Sequence, residues 1–262
     1  MISPTALTIC VLDSSFAIFL FGPDDEADRV IMRLKAVPSF VKRFQLSASS
    51  HDITVATIVA TRRSVCSIIW LPSLSKSAAS VISHIVEATH QRANTSVVLL
   101  SGATYVPSDL AEGVDVVVSP CTNHRALIQN MVNGVTHSWQ GIDVHFLNDV
   151  LSGQQGRWYA AVTEAKGPSR ALDASTAAFN QLETSQSDKA AITCFLLVIS
   201  GGNIKFFERR DVIITIRYVA KNAFFLLSIS EDDSLGENIR VALFCAYQVR
   251  AQPQKKWLAV CT

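Results

Sequence analysis

Apolar and polar positions follow two rhythms along this chain, and the rhythms take turns. Leu7 to Leu12 and Ser15 to Phe21 are apolar, β-prone runs around the polar pair Asp13-Ser14, which predicts two strands and a turn. Asp24 to Ala36 shifts to a helical period: acids crowd its start, Val30, Ile31 and Leu34 share a face, and Pro38 follows. Ile53 to Ala60 alternates apolar residues with threonine and predicts a strand. Val65 to Leu71 is a nearly continuous apolar run, as expected of a strand covered on both faces. Ser73 to Ala93 predicts a helix, with Ala78, Val81, Ile82, Ile85, Val86 and Thr89 repeating at three-four spacing and Ser73 or Ser75 as its cap. Val97 to Leu100 and Val114 to Val118 predict strands, and Asn123 to Val135 a helix ending near Gly134. This β-α-β-α-β order predicts a parallel sheet layer.

The second half changes character. Ser169 to Leu182 is alanine-rich and helical, and Ala191 to Ile199 reads as a buried strand. Phe207 to Ala220 reads as a helix, although Val212, Ile213, Ile214 and Ile216 also suit a strand. Phe224 to Ser230 and Ile239 to Val249 flank a polar turn and predict a hairpin-like pair in a mixed sheet. A boundary near Trp139 to Asp143 divides the chain into residues 1–138, 139–252 and a short tail at 253–262.

Composition narrows the class. Hydrophobic residues make up 49% and charged residues 17%, which predicts an ordered globular protein. A net charge of +1 gives no bulk pull towards nucleic acid. Asp13-Ser14-Ser15 interrupts the longest early apolar run, which has no basic leader, so neither a signal peptide nor a membrane helix is expected. Six scattered cysteines form no CxxC pair, and no Cys/His cluster has metal-ligand spacing; buried thiols in a reducing cytoplasm are expected.

Several motifs fall in order in the second half. They are Glu164-Ala165-Lys166-Gly167, Arg170-Ala171, Gly201-Gly202, Asp233, Leu235-Gly236 and Ile239-Arg240-Val241. In this the chain resembles the C-terminal domain of FtsZ, the tubulin relative of the division ring, over roughly Ile142 to Val249. The resemblance implies an α/β fold: a degenerate tubulin/FtsZ-like parallel layer, then an α+β domain with a mixed sheet. It also implies GTP at two glycine-rich turns, where backbone N–H groups wrap phosphate. Here the run after Leu71 is Pro72-Ser73-Leu74-Ser75-Lys76-Ser77, and the first strand ends at Asp13-Ser14-Ser15. Ser73, Ser75 and Lys76 are candidate phosphate contacts, and Asn123 stands where the family has a nucleotide-contacting asparagine.

The family's catalytic loop resembles Ile142 to Asp149. His145 and Asn148 stand at its aspartate positions, with Asp143 and Asp149 as neighbouring carboxylates. An acceptor carboxylate is what orients water in that scheme. Asp143, His145, Phe146 and Asn148 are the candidate interface. The expected function is a cytoplasmic, non-enzymatic FtsZ-like protein without GTP. It would act through contacts with FtsZ, an FtsZ-like protein or itself, and modulate or cap filaments in cell division. The alternative is a divergent self-polymerising GTPase.

Overall fold

The computed structural model describes residues 6–247, apart from 13–14, 35–37, 47–49, 63, 92–94, 104, 120, 122, 137, 141, 154–155 and 185–191. The expected tail, Cys261 and the Asp13-Ser14 turn lie outside the described residues. The chain is an α/β protein built on one eleven-stranded mixed sheet. Strands β1 (Ala6–Leu12) and β2 (Phe16–Phe21) form an antiparallel hairpin, and β3 (Phe40–Gln45) pairs with β1 at the margin. Between β2 and β3 runs α1 (Asp24–Ile31). From β2 the sheet continues in parallel through β4 (Cys66–Leu71), β5 (Ser96–Ser101) and β6 (Val116–Val118).

Helix α2 (Ser50–Arg62) corrects the strand expected at Ile53 to Ala60. Its β-branched residues also place Ile53, Ala56, Thr57, Ala60 and Thr61 on one buried stripe at three-four spacing. Packing of that stripe beside α3 (Lys76–His90) overrides local strand propensity. Of the expected α3 face, Ala78, Ile82, Ile85 and Thr89 are buried, while Val81 and Val86 lie half-buried at its flanks. A short α4 (Ser108–Glu112) precedes β6.

Helix α5 (His124–Thr136) crosses the middle of the sheet, and every residue from Leu127 to Gly134 is buried. It passes through Gly134, the expected end. Ser228 donates its hydroxyl to the Gly134 carbonyl at 2.7 Å, so the glycine is a packing contact. Next come β7 (Ser138–Gln140), α6 (Val144–Gly153) and β8 (Gly156–Ala165). The parallel pairing of β8 with β6 carries the sheet across the Trp139 to Asp143 region.

The remaining elements are α7 (Arg170–Thr184), β9 (Ile192–Gly201), α8 (Phe206–Val219), β10 (Phe224–Glu231), a 3-10 turn at Asp233–Leu235 and β11 (Ile239–Tyr247). The helical reading of residues 207–220 holds. The hairpin does not: β11 inserts between β8 and β9, and β10 lies on the far side of β9, parallel to it. Spacing along the chain suggested a direct turn, but β9 takes the central place because it is buried along nearly its whole length.

Three apolar clusters cover the sheet. One face holds α1, α5 and α6; the other holds α2 to α4 over the first half and α7 with α8 over the second. Trp158 is buried in the first cluster, as a packing residue.

Candidate functional site

Open parallel sheets bind ligands at the carboxyl ends of their strands, where the connecting turns leave a crevice. Here that edge is formed by the turns after β2, β4, β5 and β6. Because β1 runs antiparallel to β2, its end at Leu12 lies at the opposite edge. The first turn on the carboxyl edge is therefore Gly22-Pro23, and it does contain a glycine, with φ +142°. The first strand does end before Asp13, as expected, but the turn that reaches the carboxyl edge is the one after the second strand.

The glycines at this edge already have partners. Gly22 donates its N–H to the Ala6 carbonyl at 3.0 Å, and Gly102 donates to the Leu71 carbonyl at 2.8 Å. A Cβ on Gly102 would lie 2.7 Å from the Pro72 carbonyl oxygen, so close chain packing explains this glycine. Pro23 has no N–H to offer. Asp24, Asp25 and Glu26 follow in the first turn of α1. Carboxylates suit a helix N-terminus but repel a phosphate placed there.

Side chains close the crevice between α1 and β4. The Trp70 and His124 rings stack with centroids 3.7 Å apart and planes 3° apart. His124 Nε2 lies 2.7 Å from Glu26 Oε1, and Arg125 grips the same carboxylate through Nε and Nη2. The hydrogen bond from Arg125 holds the Glu26 carboxyl below its ordinary range, against desolvation and with help from His124. Burial lowers the His124 pKa, while Glu26 pulls it upward. A stacked, ion-paired cluster thus occupies the space between α1, the end of β4 and the start of α5.

The sequence-derived contacts divide between two turns of this edge. Ser75 caps α3: its Oγ accepts from the Ala78 N–H at 3.2 Å, and its carbonyl accepts from Ala79. Ser73 is half-buried and Lys76 is exposed. Asn123 is exposed, and its carbonyl accepts from Leu127 to start α5. Because β5 lies between β4 and β6, these turns stand about 10 Å apart at the usual strand spacing. A triphosphate needs convergent free N–H donors and cations; this donor set does not match that need.

The second candidate group lies at the opposite end of the sheet. Asp143 is the cap of α6, its Oδ1 accepting from the N–H groups of His145 at 2.9 Å and Phe146 at 3.1 Å. His145, Phe146 and Asp149 are exposed on the outer face of α6. Asn148 is buried at 1% exposure, which corrects its place in a contact surface. Residues 147, 148 and 151 turn inward, so 148 falls on the core side of the helix. Phe146 meets Phe224, the first residue of β10, edge to face at 6.1 Å, and both rings are 48% exposed. Sequence reasoning missed Phe224, Trp70 and Glu26; only the fold brings them to their partners.

The ordered motifs of the second half are structural staples. Arg240 Nε donates to Glu164 Oε1 at 2.7 Å, tying β11 to β8. Arg170 Nε donates to Glu208 Oε1 at 2.7 Å, tying α7 to α8. Gly167 and Gly236 take positive φ in turns.

Among solved structures, the chain is similar to FtsZ of M. jannaschii. The W319Y mutant gives a TM-score of 0.47 at 18% identity, over 74% of this chain and 60% of that one. The empty FtsZ dimer gives 0.47 at 16% identity, over 75% and 59%. The chain thus spans about three fifths of the length of the FtsZ chains it matches. No protein-family model matches it, and no curated protein does.

Proposed function

We propose that this chain is a non-enzymatic FtsZ-like protein that acts through protein contacts and does not bind GTP. The observation that carries the reading is the contrast between the two ends of the sheet. At the carboxyl edge Trp70, His124, Glu26 and Arg125 fill the crevice. At the other end the Phe146–Phe224 pair exposes half of each ring. The outer surface of α8 adds exposed Phe207, Ile214 and Tyr218. Exposed aromatic groups of this kind favour protein contacts.

The ordered motifs from Glu164 to Val241 support FtsZ, or a second copy of this chain, as the partner. A subunit with one contact end and one closed end adds to a head-to-tail filament and stops its growth there. Such a protein would work in the cytoplasm during cell division. Sedimentation of FtsZ with GTP, with and without this protein, tests the proposal. Substoichiometric protein should lower the polymer mass, and Phe146→Glu should abolish the effect. Unchanged polymer mass and unchanged turnover would sink it.

A further inference from the structure

A separate cleft of about 570 Å³ opens at the carboxyl edge of the sheet, where the end of α1 approaches the start of β11, on the face that also carries α5 and at the end away from Phe146. That volume is within the ordinary range of small-molecule sites. Its floor is a chain of polar groups drawn from four elements. Glu164 accepts from Arg240 Nε at 2.7 Å; Arg240 Nη1 approaches Gln129 Oε1 at 3.4 Å and Asp232 Oδ2 at 3.6 Å. Gln129 Nε2 donates to Asp232 Oδ2 at 3.4 Å, and the Ser234 N–H donates to Asp232 Oδ1 at 3.2 Å. The Arg240 and Asp232 side chains are only 11% and 8% exposed, so this array is fixed before any ligand arrives.

Some valences remain open. Among the described residues, Arg240 Nη2 and the rim guanidinium of Arg33 have no acceptor, and Glu164 Oε2 has no donor. The cleft therefore offers a fork of cationic donors beside a carboxylate. Two guanidiniums and two carboxylates sum to zero charge. A ligand of net charge would match one sign of this array and leave the other facing it without a complement. An apolar ligand would strip water from the fork and return no hydrogen bond. A dipolar molecule satisfies both signs. Leu34 and Leu235 on the wall suit an aliphatic side chain.

The geometry points to a binding site for a short zwitterionic peptide with an apolar side chain. Its carboxylate meets Arg33 and Arg240, and its ammonium meets Glu164. The site shares no residue with the Trp70–His124–Glu26–Arg125 cluster or with the Phe146–Phe224 pair.

Calorimetric titration of the full chain with leucyl-leucine tests this, against its N-acetyl form (anionic) and its C-terminal amide (cationic). The free dipeptide should bind at least tenfold more tightly than either capped form. Arg33→Ala alters an exposed rim residue and should weaken the free dipeptide tenfold, with an unchanged melting temperature. Glu164→Gln should weaken the free dipeptide and the amide but not the N-acetyl form. No heat at millimolar dipeptide overturns the proposal. So does equal affinity for the three ligands, or wild-type affinity in Arg33→Ala.

Discussion

Arg170 and Glu208 form the tightest knot of the second half. Arg170 Nε donates to Glu208 Oε1 at 2.7 Å, while its Nη atoms reach the carbonyls of Glu237 at 2.5 Å and Asn203 at 2.6 Å. Glu208 also accepts the Lys205 N–H at 2.8 Å, which caps α8. One guanidinium therefore joins α7, the loop after β9, the cap of α8 and the turn before β11. Arg170→Ala leaves a buried carboxylate without its cation and is expected to cost about 3–5 kcal/mol. Arg170→Lys keeps the charge but loses the fork, and should recover only part of that. Urea unfolding measures both; equal stability of Arg170→Ala and the parent chain would refute the assignment.

Acid should destabilise the protein in two stages. Burial lowers the His124 pKa below its ordinary 6.5, despite the pull of Glu26. The unfolded chain then takes that proton first, so stability declines as pH falls below 6.5 towards the folded value. Glu26 is held below 4.5, chiefly by the Arg125 hydrogen bond. For Glu208, desolvation raises the pKa but the Arg170 hydrogen bond and its other partners outweigh it, so it too sits below 4.5. The stability from both carboxyls is present above 4.5 and drains as pH falls through their folded values. Melting temperature against pH should show both declines. In His124→Gln the upper one should vanish.

The crevice cluster should be structural. Trp70→Ala removes the ring on which His124 stacks and should cost about 3–5 kcal/mol, as large-to-small core changes do. Gly102→Ala should cost about 1–3 kcal/mol, because its new methyl meets the Pro72 carbonyl oxygen at 2.7 Å. Under the proposed function, neither variant nor the parent should bind a fluorescent GTP analogue. Micromolar binding by the parent would favour a working GTPase.

Five of the six thiols should resist modification. Cys10, Cys66, Cys121, Cys194 and Cys245 are buried, and burial pushes the first four up to about 12. A thiol-reactive dye at pH 8 should therefore label at most one site per native chain and six after unfolding.

The strands most plainly written in the sequence are those covered on both faces. Ile68 to Leu71, Val97 to Leu100 and the Cys194 to Ile199 stretch are continuous apolar runs because helices lie on either side. Residues 53–60 were misleading since threonine and valine favour strands locally, while their buried stripe meets α3 only after folding. The edge strand β3 went unread because its burial is slight and Lys42 and Arg43 break its apolar pattern. Nor does spacing reveal that β9 separates β10 from β11. At the candidate site, serine, lysine and asparagine were visible as residue types. The closure by Glu26 and His124, 98 positions apart, was not, since only the packing of α1 on α5 joins them.

One margin of the sheet is guarded. Strand β3 carries Lys42 and Arg43 outward, and Arg43 is bonded back to Asp28 of α1. A foreign strand approaching there would have to bury these cations beside its own backbone, at a steep desolvation penalty. The protein is thereby shielded against amyloid-like stacking along β3, so any ordered assembly must grow from another part of its surface.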